Sequence, residues 1–242
     1  MILTAHQTGY MPWLGFFAKV AQADLFCSFD AVQYERRGWT NRNYIKTRDG
    51  PLLLSVPVRS KNHFGTKLCD VEIMTGNWAR KHMRSIELAY AKAPHFEQHY
   101  AGVGAVLDLY SEGGLLMELN TDLMRYFLRA LGIQVPIVQA SDHDFKGGKS
   151  ALVLDMCRKL NASTYIFGGE GKNYADVAAF KAAGIEPRFQ EYVHPTYPQL
   201  WGEFAPRMSV LDLVMNCGPT SLSILTNQVC DVEHSGTVVE HP

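Results

Sequence analysis

With 242 residues, 47% of them hydrophobic and 19% charged, the chain can bury a sizeable core, and its composition is that of a folded globular protein. A net charge of −1 gives no global field to recruit nucleic acid or an anionic membrane, so any basic site has to be local. The longest apolar runs fall far short of the roughly 20 residues that cross a bilayer. No secretory leader pattern opens the chain, and the five scattered cysteines lack a C-x-x-C pair, which argues against a disulfide framework or a thiolate zinc site. The expectation is a cytoplasmic protein without membrane insertion.

Met1 to Ala5 reads as a short buried strand, followed by the loop HQTGYMPW and a helix over Leu14 to Ala23. Asp24 to Asp30 is a second strand, and so short a strand, helix, strand unit implies a right-handed crossover and a parallel sheet. Asn43 to Thr47 and Leu52 to Val58 form a hairpin around Asp49-Gly50, and Val71-Glu72-Ile73 reads as another short strand. Helical spacing then runs over Asn77 to Tyr90, Pro94 to Ser111 and Leu115 to Leu131.

From Gly132 the strand and helix alternation returns. Gln134 to Ala140, Thr164 to Phe167 and Glu186 to Tyr192 are strands, Lys149 to Leu160 and Ala175 to Ala183 helices, and Ser209 to Cys217 and Thr220 to Val229 closing helices. The fold expected is α/β, a Rossmann-like or nucleotidylyltransferase-like parallel sheet of about five strands with an inserted β-hairpin and helical segment. One domain over residues 1–230, with a helical insertion at about 77–131, would leave residues 231–242 as a flexible tail. Parallel sheets bind ligands at the carboxyl ends of their strands, and that rim collects the unusual polar clusters.

The first cluster is the loop His6 to Trp13. An imidazole there can exchange a proton near neutral pH or meet an anion at the following helix, while Gln7, Tyr10 and Trp13 add hydrogen-bonding arms and a stacking face. The second runs from Asp30 to Lys46, where Arg37, Arg42 and Lys46 could hold phosphates by charged hydrogen bonds. Trp39 and Tyr34 offer ring faces, and Gln33, Asn41 and Asn43 offer amides. In the third, Asp142 to Ser150, the full phosphate-loop spacing fails and the Asp-His-Asp triplet points in alternating directions, so no residue is assigned to a metal. Gly169, Lys172 and Tyr174 follow a strand as a ligand-permissive turn, and the proline-stiffened loop from His194 carries Tyr197 and Gln199. His6, Asp30 and His194 are the candidate catalytic groups and the others candidate substrate contacts. No covalent-hydrolase signature is present, and no cofactor is assigned.

The blocks HQTGYMPWLGFFAKVAQADLF, DAVQYERRGWTNRNYIKT, LLLSVPV, KLNASTYIFGGEGKNY and HPTYPQLWGEFAPRMSVLDLVMNCGP, spread over residues 3 to 219, resemble the WbqC-like protein family. That resemblance implies a cytoplasmic protein of O-antigen and other surface-polysaccharide (lipopolysaccharide) biosynthesis, concerned with nucleotide-linked amino sugars. Where the family more often reads HQPNYLPW, this chain has Thr8-Gly9, which loosens the turn and removes an amide.

Two functions fit. One is a transferase that moves an acyl or aminoacyl group to the amine of a nucleotide-activated sugar or other phosphorylated small molecule, with His6 as base or hydrogen-bond donor. The other is a non-catalytic module that binds a sugar nucleotide or a partner enzyme through the same rim. A histidine after the first strand is also how nucleotidylyltransferase-like enzymes begin their H-x-G-H signature, but here the second histidine is missing and Tyr10 falls one position late. Nucleic acid is not an expected partner, and a homodimer is left open.

Overall fold

The computed structural model describes residues 1–59 and 65–226; Val229, Cys230 and the 231–242 tail lie outside them. In chain order the elements are β1 (Ile2–His6), α1 (Leu14–Val20), β2 (Leu25–Ser28), β3 (Arg42–Thr47), β4 (Gly50–Ser55), α2 (Trp78–Tyr90), α3 (Phe96–Leu109) and α4 (Leu116–Leu131). There follow β5 (Ile137–Gln139), α5 (Ser150–Lys159), β6 (Thr164–Phe167), α6 (Val177–Ala182), β7 (Glu186–Phe189), α7 (Val210–Cys217) and α8 (Ser221–Leu225).

Five strands form one parallel sheet in the order β5-β2-β1-β6-β7, and β3 and β4 form a separate antiparallel hairpin. With the hairpin left out of the count this is the 3-2-1-4-5 order of doubly wound nucleotide-binding sheets. The chain moves from β1 to β2 on one side and, after β5, crosses to β6 on the other. The carboxyl ends of β1 and β6 therefore flank the switch point where such sheets open a crevice.

Period-two alternation divides β1 between two cores. Leu3 and Ala5 pack with α5 and α6 residues such as Met156 and Phe180. Thr4 faces the other way and donates its hydroxyl to the carbonyl of Ile166 at 2.8 Å. On that second face α1 is buried on every side and shares one core with α2, α3, α4 and α7. The Phe17 and Phe127 rings meet edge to face at 6.2 Å across it. Each such fully buried ring contributes about 1.5–3 kcal/mol of transfer free energy. The helical stretch after the hairpin is thus one layer of the sheet packing.

Several expectations need correction. Residues Val71-Glu72-Ile73 form only isolated bridges, Ile73 with Val58 and Glu72 with Leu115, because the hairpin edge offers them no continuous ladder. The hairpin strands are Arg42–Thr47 and Gly50–Ser55, joined by Arg48-Asp49 alone. The positive φ of 106° sits on Gly50, just after that connection. The strand expected over Gln134 to Ala140 contracts to Ile137–Gln139, and the one over Glu186 to Tyr192 to Glu186–Phe189. Helix α1 stops at Val20, α6 spans Val177–Ala182, and α8 ends at Leu225.

Candidate functional site

At the end of β1, His6 donates from Nδ1 to the carbonyl of Gln7 at 2.9 Å, which leaves its Nε2 lone pair uncommitted among the described residues. The ring is wedged edge-on between Trp13 at 5.3 Å and Phe16 at 5.7 Å. Burial, helped by the nearby Lys19 ammonium, lowers its pKa to about 4. His6 is therefore neutral at pH 7, and its Nε2 is an acceptor.

Lys19 is unusual. It sits on α1, is 2% exposed and donates to the Ala5 carbonyl at 3.1 Å. No carboxylate lies within ion-pair distance of it among the described residues. Burial lowers its pKa to about 8, so it remains largely an ammonium at neutral pH. A buried cation without a counter-ion is costly, and the charge makes this end of the sheet a place where an anion is stabilised.

The first loop and the arginine-rich segment lie against each other. Tyr10 donates its backbone N–H to Thr40 at 3.0 Å. The buried Asn120 amide on α4 ties the carbonyls of Thr8 (2.9 Å) and Thr40 (2.8 Å) together. A Cβ on Gly9 would come within 2.9 Å of the Trp39 carbonyl, so glycine permits this approach. Several expected contacts are nonetheless occupied inside the fold. The Tyr10 hydroxyl pairs with His82 Nδ1 at 2.9 Å, Asn43 donates to the Met11 carbonyl at 2.7 Å and Asn41 to Val56 at 2.8 Å. Arg42 turns back on the carbonyls of Gly38 and Arg36, and Tyr34 is buried. Gln33, Arg37 and Trp39 are exposed, and Gln7 is half-buried.

Across the crevice, Gly168 and Gly169 follow β6. Neither has a positive φ, and a Cβ at either would meet no atom closer than 3.8 Å. Neither backbone nor packing demands glycine there, which leaves room for a ligand to approach the main chain. Lys172 pairs with Glu191 at 2.6 Å, and Tyr174 is exposed. The segment after β7 returns to α1, where Gln190 donates to the Gly15 carbonyl at 2.9 Å and Tyr192 packs on Gly15. The Tyr192 hydroxyl is buried with no partner among the described residues, and burial raises its pKa.

The loop from His194 is committed differently. His194 Nδ1 donates to the Pro195 carbonyl and Nε2 accepts from the Arg207 N–H, so both nitrogens are used. Tyr197, Gln199 and Tyr90 all donate to the buried Asp212 carboxylate at 2.9, 2.7 and 2.8 Å. Burial pushes that carboxyl up, and the three donors oppose the shift. Lys46 donates to the Glu203 carbonyl and lends Asp212 its positive field.

A cavity of about 490 Å³ opens at the ends of β2 and β5, against α4. Asp30, Gln139 and Ser141 form its sheet side, and Asp30 accepts from the Ser141 N–H at 2.8 Å and hydroxyl at 2.6 Å. Among the described residues no group of three or more His, Cys, Asp or Glu side chains is placed to hold a metal ion.

Reading the sequence missed Lys19, Gln139, Tyr192 and Asp212. For two of them a signal was present, since LGFFAKV and VLDLVM each set one charge in an apolar helix. Gln139 and Tyr192 carried none, because nothing local shows that an amide or hydroxyl will lack a partner.

The WbqC-like protein family model matches residues 7–224. The chain is also similar to the uncharacterized protein Rv1507c of Mycobacterium tuberculosis (strain ATCC 25618 / H37Rv), with 34% identity over 213 residues, 88% of this chain and 92% of that protein. The match takes in the His6 loop except His6 itself, the arginine-rich hairpin, both strand-end glycines and the Asp212 helix, and on it the chain belongs to the WbqC-like protein family.

Proposed function

We propose that this protein is an enzyme of surface-polysaccharide (O-antigen) biosynthesis that transfers an acyl or aminoacyl group to the amine of a nucleotide-linked sugar, using the crevice between β1 and β6. One observation carries the reading: a buried ammonium, Lys19, with no carboxylate partner among the described residues, is near enough to His6 to depress its pKa, and the His6 Nε2 is uncommitted among those residues, at the switch point of a parallel sheet. A phosphate at this end would be the missing counter-charge, and Gly168 and Gly169 leave the main chain open to it. Trp13, 36% exposed, offers a ring for stacking on a base or sugar. The new bond joins the sugar nitrogen to the acyl carbon as the bond to the leaving group breaks, and His6 Nε2 takes the proton the nitrogen sheds.

The test is a thermal-shift screen of uridine and deoxythymidine diphosphates and their amino sugars. A nucleotide present at 100 times its Kd adds about 2.7 kcal/mol of stability. Absence of any nucleotide shift sinks the reading. His6→Ala then separates catalysis from binding: lost turnover with retained affinity supports the enzyme, and lost affinity alone supports a binding module.

A further inference from the structure

The cavity at the ends of β2 and β5 has the opposite chemistry to the His6 crevice. Its volume of about 490 Å³ lies within the range of small-molecule sites. Asp30 is 3% exposed, and its carboxylate is held by Ser141 alone, with no cation in ion-pair distance among the described residues. On the α4 wall, Asp122 is already satisfied, by Arg125 at 3.1 Å and the Tyr110 hydroxyl at 2.7 Å. Gln139 donates through Nε2 to the buried Thr121 hydroxyl at 3.2 Å, which leaves its Oε1 buried without any donor.

A carboxylate without a cation and an amide oxygen without a donor therefore line one hollow. An unpaired buried acceptor is disfavoured unless something arrives to satisfy it. The arriving group has to bring positive charge and several N–H donors. We infer that this cavity binds a protonated primary amine, with Asp30 as its counter-ion and the Gln139 carbonyl oxygen as a second acceptor. The inference goes beyond the proposed function, because this amine is held protonated in the cavity and is not the sugar nitrogen that gives its proton to His6. Two carriers supply the same chemistry, an amino sugar or a free amino acid.

The experiment is titration calorimetry on the full chain with four probes: glucosamine, N-acetylglucosamine, glycine and N-acetylglycine. Each free amine is expected to bind at least tenfold more tightly than its acetylated form, and the tighter amine identifies the carrier. Asp30→Asn preserves the shape and the Ser141 contacts and should abolish that preference. Gln139→Met removes the unpaired acceptor together with the bond to the Thr121 hydroxyl, so its melting temperature is read first to show that it is folded, and the preference should fall at least threefold. Equal binding of amine and acetamide overturns the inference, as does binding of none of the probes. So does a folded Gln139→Met protein that keeps the wild-type preference alongside Asp30→Asn. Inorganic phosphate, titrated in parallel, separates the two ideas: amine binding without phosphate binding removes the crevice reading and leaves the cavity, and the reverse result removes the cavity alone.

Discussion

Two polar regions of this molecule treat their hydrogen bonds in opposite ways. Around Asp212, three donors converge on one buried carboxylate, and Gln199 extends the network through its Oε1, which accepts from the Ala205 N–H. Near the strand ends, among the described residues, Lys19 on α1 has no carboxylate, Tyr192 has no partner for its hydroxyl, and Gln139 has none for its carbonyl oxygen. Asn41 Oδ1, Trp78 Nε1, Asn120 Oδ1 and Ser209 Oγ are also buried without a partner among the described residues, so what sets the strand ends apart is that the unmatched groups there accompany a buried ammonium and an open cavity. Under the proposed function a ligand supplies what these groups lack.

The strongest way to break this contrast is Asp212→Leu. Removing the carboxylate takes away the acceptor of the Tyr90 and Tyr197 hydroxyl protons and one of the acceptors of the Gln199 amide, so urea denaturation should show a loss of about 3–5 kcal/mol. A loss under 1 kcal/mol would mean that the network does not hold the 194–205 loop in place.

A pH series sharpens it next. Burial lowers the pKa of both His82 and His6 from 6.5 to about 4. Above pH 6.5 both states are neutral and stability is at its full value. As pH falls from 6.5 to 4 the unfolded chain takes up protons that the native protein refuses, so stability declines and then levels off. His82, 7% exposed, accounts for about 3 kcal/mol of that decline. His82→Gln, which can keep a bond to the Tyr10 hydroxyl, should make the decline measured by denaturant titration between pH 7 and pH 4 shallower, with the share of His6 remaining. An unchanged slope would mean that His82 takes no part in it.

The smallest stability effect is expected at Lys19. Lys19→Met removes an uncompensated buried charge, so stability should hold or rise by about 1–2 kcal/mol. Affinity for inorganic phosphate or a nucleoside diphosphate should fall about tenfold. Destabilisation with unchanged anion affinity would move Lys19 into the structural group with Asp212.

The same contrast separates what could be read along the chain from what could not. Periodicity located every strand of the parallel sheet and the hairpin, because alternation and helical spacing are local consequences of which face is buried. It failed at Val71-Glu72-Ile73, where strand-like residues found no continuous edge to pair with. The reading along the chain also placed Tyr197 and Gln199, as substrate contacts, on one rim with a catalytic His6. Yet Tyr197 and Gln199 spend their polar atoms on an aspartate 13 to 15 residues away, whereas His6 keeps a free nitrogen.

A parallel α/β sheet with an inserted hairpin and the family were legible along the chain, because hydrophobic pattern and glycine placement act over a few residues at a time. Strand order, and which polar atoms are satisfied and which are left over, emerge from packing. That assignment depends on partners such as Asp212 for Tyr90, Asn120 for Thr8 and Ser141 for Asp30, 122, 112 and 111 residues apart, and pairing over such separations is settled by packing rather than by local chemistry.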